Sequence, residues 1–137
     1  MATGLENEQQ RLNATLKIMA AVDQWGLSNE EIMTLLDFPK GLTRGRHLQK
    51  FRKDTPFPDE AQITARMKPL LGIIDALRTT YPRNLNMGPR WMRTPHRRMK
   101  QRTPIHTMLE DGDSGVIAVL AELDCSYAWE LSGSQRN

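Results

Sequence analysis

A threonine-proline pair at 103–104 and an Asp-Gly-Asp turn at 111–113 constrain this 137-residue chain more than any other feature in it. The Thr103 hydroxyl is suited to cap a helix. Pro104 fits the first helical position, where its missing N–H would be unpaired anyway. The short helix they open carries Ile105, Met108 and Leu109 at spacings that share one face. Gly112 ends it, because glycine accepts the positive φ of a tight helix end. Asp113 or Ser114 then caps a second helix with Val116, Ile117, Leu120, Leu123 and Tyr127 in register. The stretch from Trp91 to Leu123 therefore predicts a compact helical hairpin.

The remainder of the chain agrees with an all-α fold. Aromatics are 6% of residues and few runs alternate apolar with polar, which argues against a sheet. Hydrophobic residues are 39% and mean hydropathy is −0.56, enough for a modest core beneath much solvated helix surface. No apolar run approaches the roughly 18 residues that span a bilayer. The opening MATGLENEQQ is too polar for a secretory leader. A lone cysteine, Cys125, excludes an internal disulfide and suits a reducing compartment. Together these features place the protein in the cytoplasm, with no membrane partner.

Charge is unevenly distributed. Residues 40–53 hold six cations and no acid, and residues 83–102 hold seven and no acid. Residues 103–137 carry a net charge of −5. Two surfaces with different partners are expected, a basic one for polyanions and an acidic one for another macromolecule.

In chain order, residues 8–24 read as an amphipathic helix with Leu12, Leu16 and Met19 on one face, closed by Gly26. Ser28 and Glu31 form a capping box for a second helix whose inner face is Ile32, Leu35 and Leu36. Pro39 and Gly41 mark a turn, and Thr43 caps a third helix over 44–52 with Leu48 and Phe51 inward. This is the outline of a helix-turn-helix, whose second member lies in the major groove. Lys40, Arg44, Arg46, His47, Lys50 and Arg52 would meet DNA, arginine through guanine edges and lysine through phosphate. The competing interpretation is a solvated basic helix face.

Residues 54–58 form a stiff proline connector. A helix from about 58 to 80 follows, with Ile63, Met67, Leu70, Leu71, Ile74 and Leu77 in register. Pro69 predicts a kink or break near Met67. The helix joins two halves, 8–56 and 84–131, and its apolar face is wide enough for a dimer, although ordinary core is the simpler role. Residues 96–102 form a basic connector that would meet phosphate, acidic protein groups or solvent alone. The tail carries Tyr127 and Trp129, either clamped onto the body or held out for a partner.

Chemistry is absent from the pattern. His47, His96 and His106 are scattered, and nothing has zinc-ligand spacing. Asp111, Asp113 and Glu122 match a calcium-loop register, but Gly115 replaces a ligand and Val116 the turn glycine. There is no phosphate-cradling loop and no nucleophile elbow. The sequence predicts no enzyme, no metal and no cofactor.

The ordered series Trp91, Thr94-Pro95, Thr103-Pro104, Met108-Leu109, Gly112, Gly115-Val116 and Leu120 resembles the toxin-binding domain of the Xre/MbcA/ParS antitoxin family. The run Arg66-Met67, Leu70-Leu71-Gly72-Ile73, Leu77 and Tyr81-Pro82 resembles the helix preceding that domain. The resemblance implies a helix-turn-helix bundle followed by a small helical toxin-binding domain over 84–131. It implies an antitoxin of a type II system, a homodimer that represses its own operator DNA and sterically blocks a RES-domain toxin that consumes NAD. Toxin contacts would then include Trp91, Arg97, Met108, Leu109, Asp111, Gly112, Tyr127, Trp129 and Glu130, of which Trp91, Met108 and Leu109 also suit a core. The chain departs from the family at His96, where asparagine is common. It departs at Lys100, Gln101 and Arg102, where small residues or glycine are usual. It also lacks the glycine common near the end of the last helix, reading Cys125-Ser126-Tyr127-Ala128-Trp129 there. Two other functions fit the residues: a DNA-binding regulator with no toxin partner, and an adaptor whose basic runs meet acidic protein surface.

Overall fold

A computed structural model describes residues 7–41, 45–84 and 86–132, with backbone alone for 45–46 and 125–132. Among the described residues the fold is all-α: α1 (Glu8–Gln24), α2 (Asn29–Leu35), α3 (Ala61–Thr80), α4 (Met87–Met92), α5 (Pro104–Asp111) and α6 (Asp113–Ser132). Two 3₁₀ segments, Gly45–Arg52 and Arg97–Met99, lie between them. No helix among these residues is long and apolar enough to cross a membrane. The chain divides into two compact units, Met1–Leu71 and Gly72–Asn137, so the boundary falls within α3.

In the first unit α1 starts where the Asn7 side chain accepts from the Gln10 amide at 2.7 Å. It ends in a Schellman motif, with Gly26 at φ +78° and the Leu27 amide donating to the Val22 carbonyl. Its buried stripe is Arg11, Ala14, Thr15, Ile18, Met19, Ala21 and Val22. Leu12 and Leu16, expected inside with Met19, are only half-buried. The stripe is rotated because α1 places Arg11 and Thr15, rather than leucines, against the proline connector.

The capping box at Ser28 and Glu31 forms as expected and starts α2. The helix ends through Asp37, which takes φ +55° while the Phe38 amide reaches the Met33 carbonyl, another Schellman arrangement with aspartate where glycine is usual. Buried Arg66 donates to the Leu35 carbonyl at 2.8 Å, satisfying an orphan acceptor of the last turn.

The expected third α-helix is a 3₁₀ segment instead. Leu48 and Phe51, its only buried side chains among the described residues, are three residues apart, and three residues per turn stack them on one face. Phe51 joins Phe38 and Phe57 in a mutual cluster with ring centroids 5.2–5.8 Å apart. The connector is tied to α1 by polar bonds. Arg11 donates to the Phe57 and Pro58 carbonyls at 2.8 and 2.6 Å and to Thr64 Oγ1 at 2.9 Å. Thr15 Oγ1 accepts from the Phe57 amide and donates to the Arg11 carbonyl. Burial lowers the Arg11 pKa, with Asp59 opposing that effect.

The helix α3 passes through Pro69 without an interruption, correcting the alternative of a break near Met67. Of the expected apolar face, Ile63, Met67, Leu70, Ile74 and Leu77 are buried within the single chain, as is Ile73, while Leu71 is half-buried.

In the second unit α5 and α6 form the predicted hairpin. Thr103 Oγ1 accepts from the His106 amide at 3.0 Å, Pro104 occupies the first turn, and Gly112 turns the chain at φ +65°. The α6 helix begins at Asp113 itself, with the Val116 amide bonding the Gly112 carbonyl. Gly112, rather than the expected Asp113 or Ser114, therefore supplies the first backbone acceptor. Ile105, Met108, Val116, Val119 and Leu123 close the seam. Glycines admit the neighbours: a β-carbon at Gly72 would meet a Leu120 methyl at 3.2 Å.

Candidate functional site

Each unit presents an electropositive surface, and they are built differently. In the first unit Lys40, His47 and Lys50 are exposed, with Lys50 Nζ 5.2 Å from the centre of the Phe51 ring. Arg52 is a structural clasp rather than a free contact. It donates to both Asp23 carboxylate oxygens at 2.8 Å and to Gln49 Oε1 at 2.8 Å, and the Asp23 bonds hold its pKa above the ordinary value. Its guanidinium fork is therefore occupied by a carboxylate, the same geometry a phosphate or guanine would need. Arg44 and the side chain of Arg46 lie outside the described residues.

In the second unit the basic connector is a closed loop. His96 and Arg102 pair across it: the His96 amide donates to the Arg102 carbonyl at 3.0 Å. Met99 plugs into the core beneath the 3₁₀ turn. The turn is completed by two consecutive left-handed residues, Lys100 at φ +60° and Gln101 at φ +63°. Such a pair is unusual without glycine, because the β-carbon crowds the backbone there.

One end of the loop folds back on α4. The His96 ring lies 4.7 Å from the half-buried Trp91 ring, and its Nε2 is 3.1 Å from the Trp91 carbonyl. A carbonyl can only accept, so Nε2 carries the proton in this contact. The other end is clamped by Arg102. Its guanidinium donates to the Met99 carbonyl at 3.0 Å, to Glu110 Oε1 at 2.7 Å and to the Asp111 oxygens at 3.0 and 2.9 Å. These bonds, with His106 adding to the Glu110 contact, hold both carboxyls below their usual range.

These contacts revise the expected acidic back surface. Glu110 and Asp111 share the single charge of Arg102 and are only partly compensated, and Glu122 lies 3.9 Å from Arg98. The basic loop and the acidic helices belong to one unit and are partly paired with each other. Of the residues considered for toxin contact, Arg97 and Asp111 are exposed, while Trp91, Leu109 and Gly112 are half-buried. Met108 is 1% exposed and belongs to the core, because α5 turns it into the seam with α6. The side chains of Tyr127, Trp129 and Glu130 lie outside the described residues.

Sequence reasoning missed Arg11, Arg66 and the Arg102 clamp. Arg11 carried no sequence signal, Arg66 stood only in the resembling run and Arg102 in the basic connector, and the carbonyls and carboxylates they meet are assembled only by folding. No group of three or more potential metal ligands occurs among the described residues. Comparison of the chain with protein-family models, curated proteins and solved structures finds no match.

Proposed function

We propose that the protein is the antitoxin of a type II toxin–antitoxin pair, a helical protein that binds and sterically blocks a RES-domain, NAD-consuming toxin and binds operator DNA through residues 40–53. The observation that carries this reading is the left-handed backbone at Lys100 and Gln101. The resemblance places glycine or small residues there, and the turn requires a conformation that glycine adopts without strain. A turn that glycine would make without strain is what this reading expects at these two positions, although Lys100 and Gln101 stand there. Gly112 and Gly115 give further support, since each motif glycine occupies a position where its lack of a β-carbon matters.

In this reading the hairpin of α5 and α6 and the chain beyond Leu123 meet the toxin. Blockade by occupancy needs no catalytic group in the antitoxin. The DNA surface comprises Lys40, Arg44, Arg46, His47 and Lys50, with Arg52 bracing the 3₁₀ segment that bears Arg46, His47 and Lys50. The protein acts as a homodimer in the cytoplasm.

The test is co-expression with a RES-domain enzyme encoded beside its gene, read as co-purification and as preserved cellular NAD. Charge reversal at Arg44 and Arg46 should weaken operator binding and spare neutralisation. Deletion after Leu123 should do the opposite. Equal damage to both activities by both changes would overturn the two-surface assignment. Operator binding with no toxin capture would leave a simple DNA-binding regulator.

A further inference from the structure

We infer that α4 and the loop after it form a second DNA-contacting surface, one that grips the phosphate backbone of a duplex without reading its sequence. Arg90, Arg93 and Arg97 are exposed, and none has an ion pair among the described residues. Arg90 and Arg93 are three residues apart at the end of α4, and Arg97 opens the 3₁₀ turn. The Trp91–His96 stack, between these arginines in sequence, folds the loop onto the helix. Arg98 lies 74% exposed beside them, only loosely drawn to Glu122 at 3.9 Å.

Three properties select a duplex phosphate backbone as the ligand. Residues 83–102 contain seven cations, six of them arginine, and no acid, and guanidinium matches phosphate with two parallel bonds. Among the described residues the only large apolar side chain that is exposed is Ile117 on α6, so this surface lacks the apolar anchors of a protein interface or a membrane contact. Single-stranded nucleic acid is held largely by stacking on open aromatic rings, and here the Trp91 ring is half-buried with the His96 ring 4.7 Å from it. What remains is a run of exposed positive charge, the chemistry of sequence-independent backbone contact.

The inference concerns the second unit and does not depend on toxin binding. Arg97 was also a candidate toxin contact, but Arg90 and Arg93 were not, so the two roles separate. The experiment measures binding of the full chain to a duplex of arbitrary sequence across a salt series. It compares the unaltered protein with R90Q/R93Q/R97Q and with the charge-preserving R90K/R93K/R97K. Loss of three phosphate contacts should flatten the slope of log affinity against log salt by about 3 and weaken binding about tenfold or more at low salt. The lysine variant should keep the slope. The side chains are exposed, so the melting temperature should not change, and the milder R90Q/R93Q should flatten the slope by about 2. An unchanged slope in a folded glutamine variant would overturn the inference. So would binding of polyglutamate or of single-stranded DNA as tight as that of the duplex. Toxin capture by R90Q/R93Q, scored separately, should be intact.

Discussion

Gly115 of α6 lies directly against the Thr107 carbonyl of α5. A β-carbon at 115 would overlap that oxygen and stand 3.0 Å from Asp111 Cβ. The obstacle is helix backbone, which cannot swing aside as a side chain can. Gly115→Ala should therefore destabilise the hairpin by about 1–3 kcal/mol, measured by urea unfolding. Gly72→Ala meets only the flexible end of Leu120 and should cost less. Equal losses at the two positions would contradict this account.

Gln101 is exposed, uncharged and held at φ +63°. Gln101→Gly should raise stability by roughly 0.5–1 kcal/mol, because relief of left-handed strain exceeds the added freedom of the unfolded chain. A higher melting temperature with unchanged DNA affinity is the expected result.

The Arg102 clamp sets an acid limit. Glu110 and Asp111 have folded pKa values below their unfolded ones, so the unfolded state binds more protons as pH falls. Their contribution is complete above the ordinary carboxylate range and is lost as pH drops through the depressed values. Arg102→Gln should lower the melting temperature at pH 7. The gap between variant and parent should narrow steadily on acidification below about pH 4. A gap independent of pH would show that the arginine acts through packing alone.

Arg11 is 6% exposed and holds two connector carbonyls. Arg11→Met keeps much of the volume and strands both acceptors. The expected loss is about 2–4 kcal/mol in denaturant unfolding. Thr15→Val removes the hydroxyl that meets the Phe57 amide and should cost about 1–3 kcal/mol.

The Arg52–Asp23 pair predicts a particular failure of DNA binding. Asp23→Asn should leave the basic residues in place but loosen the 3₁₀ segment, freeing Arg52. If the segment must be braced to bind, operator affinity falls even though net positive charge rises. A gain in affinity would instead make Arg52 a direct contact.

Much of this protein was legible in its residues because the relevant physics is local. A cap such as Thr103 or Ser28 satisfies amides within its own first turn, and Gly26 and Gly112 end helices through their own backbone freedom. These signals need no distant partner, so the caps, the hairpin and the all-α class followed from sequence. The fates of the cations did not. Nothing in the sequence marked the partners of Arg11, Arg52, Arg66 and Arg102, because folding alone set carbonyls, a hydroxyl or carboxylates before them, from 3 to 53 residues away along the chain. The choice of 3₁₀ over α at residues 45–52 and the rotated stripe of α1 were likewise decided by tertiary structure. Packing against Phe38, Phe57 and the proline connector outweighs helical propensity, and that packing exists only once the chain has closed on itself.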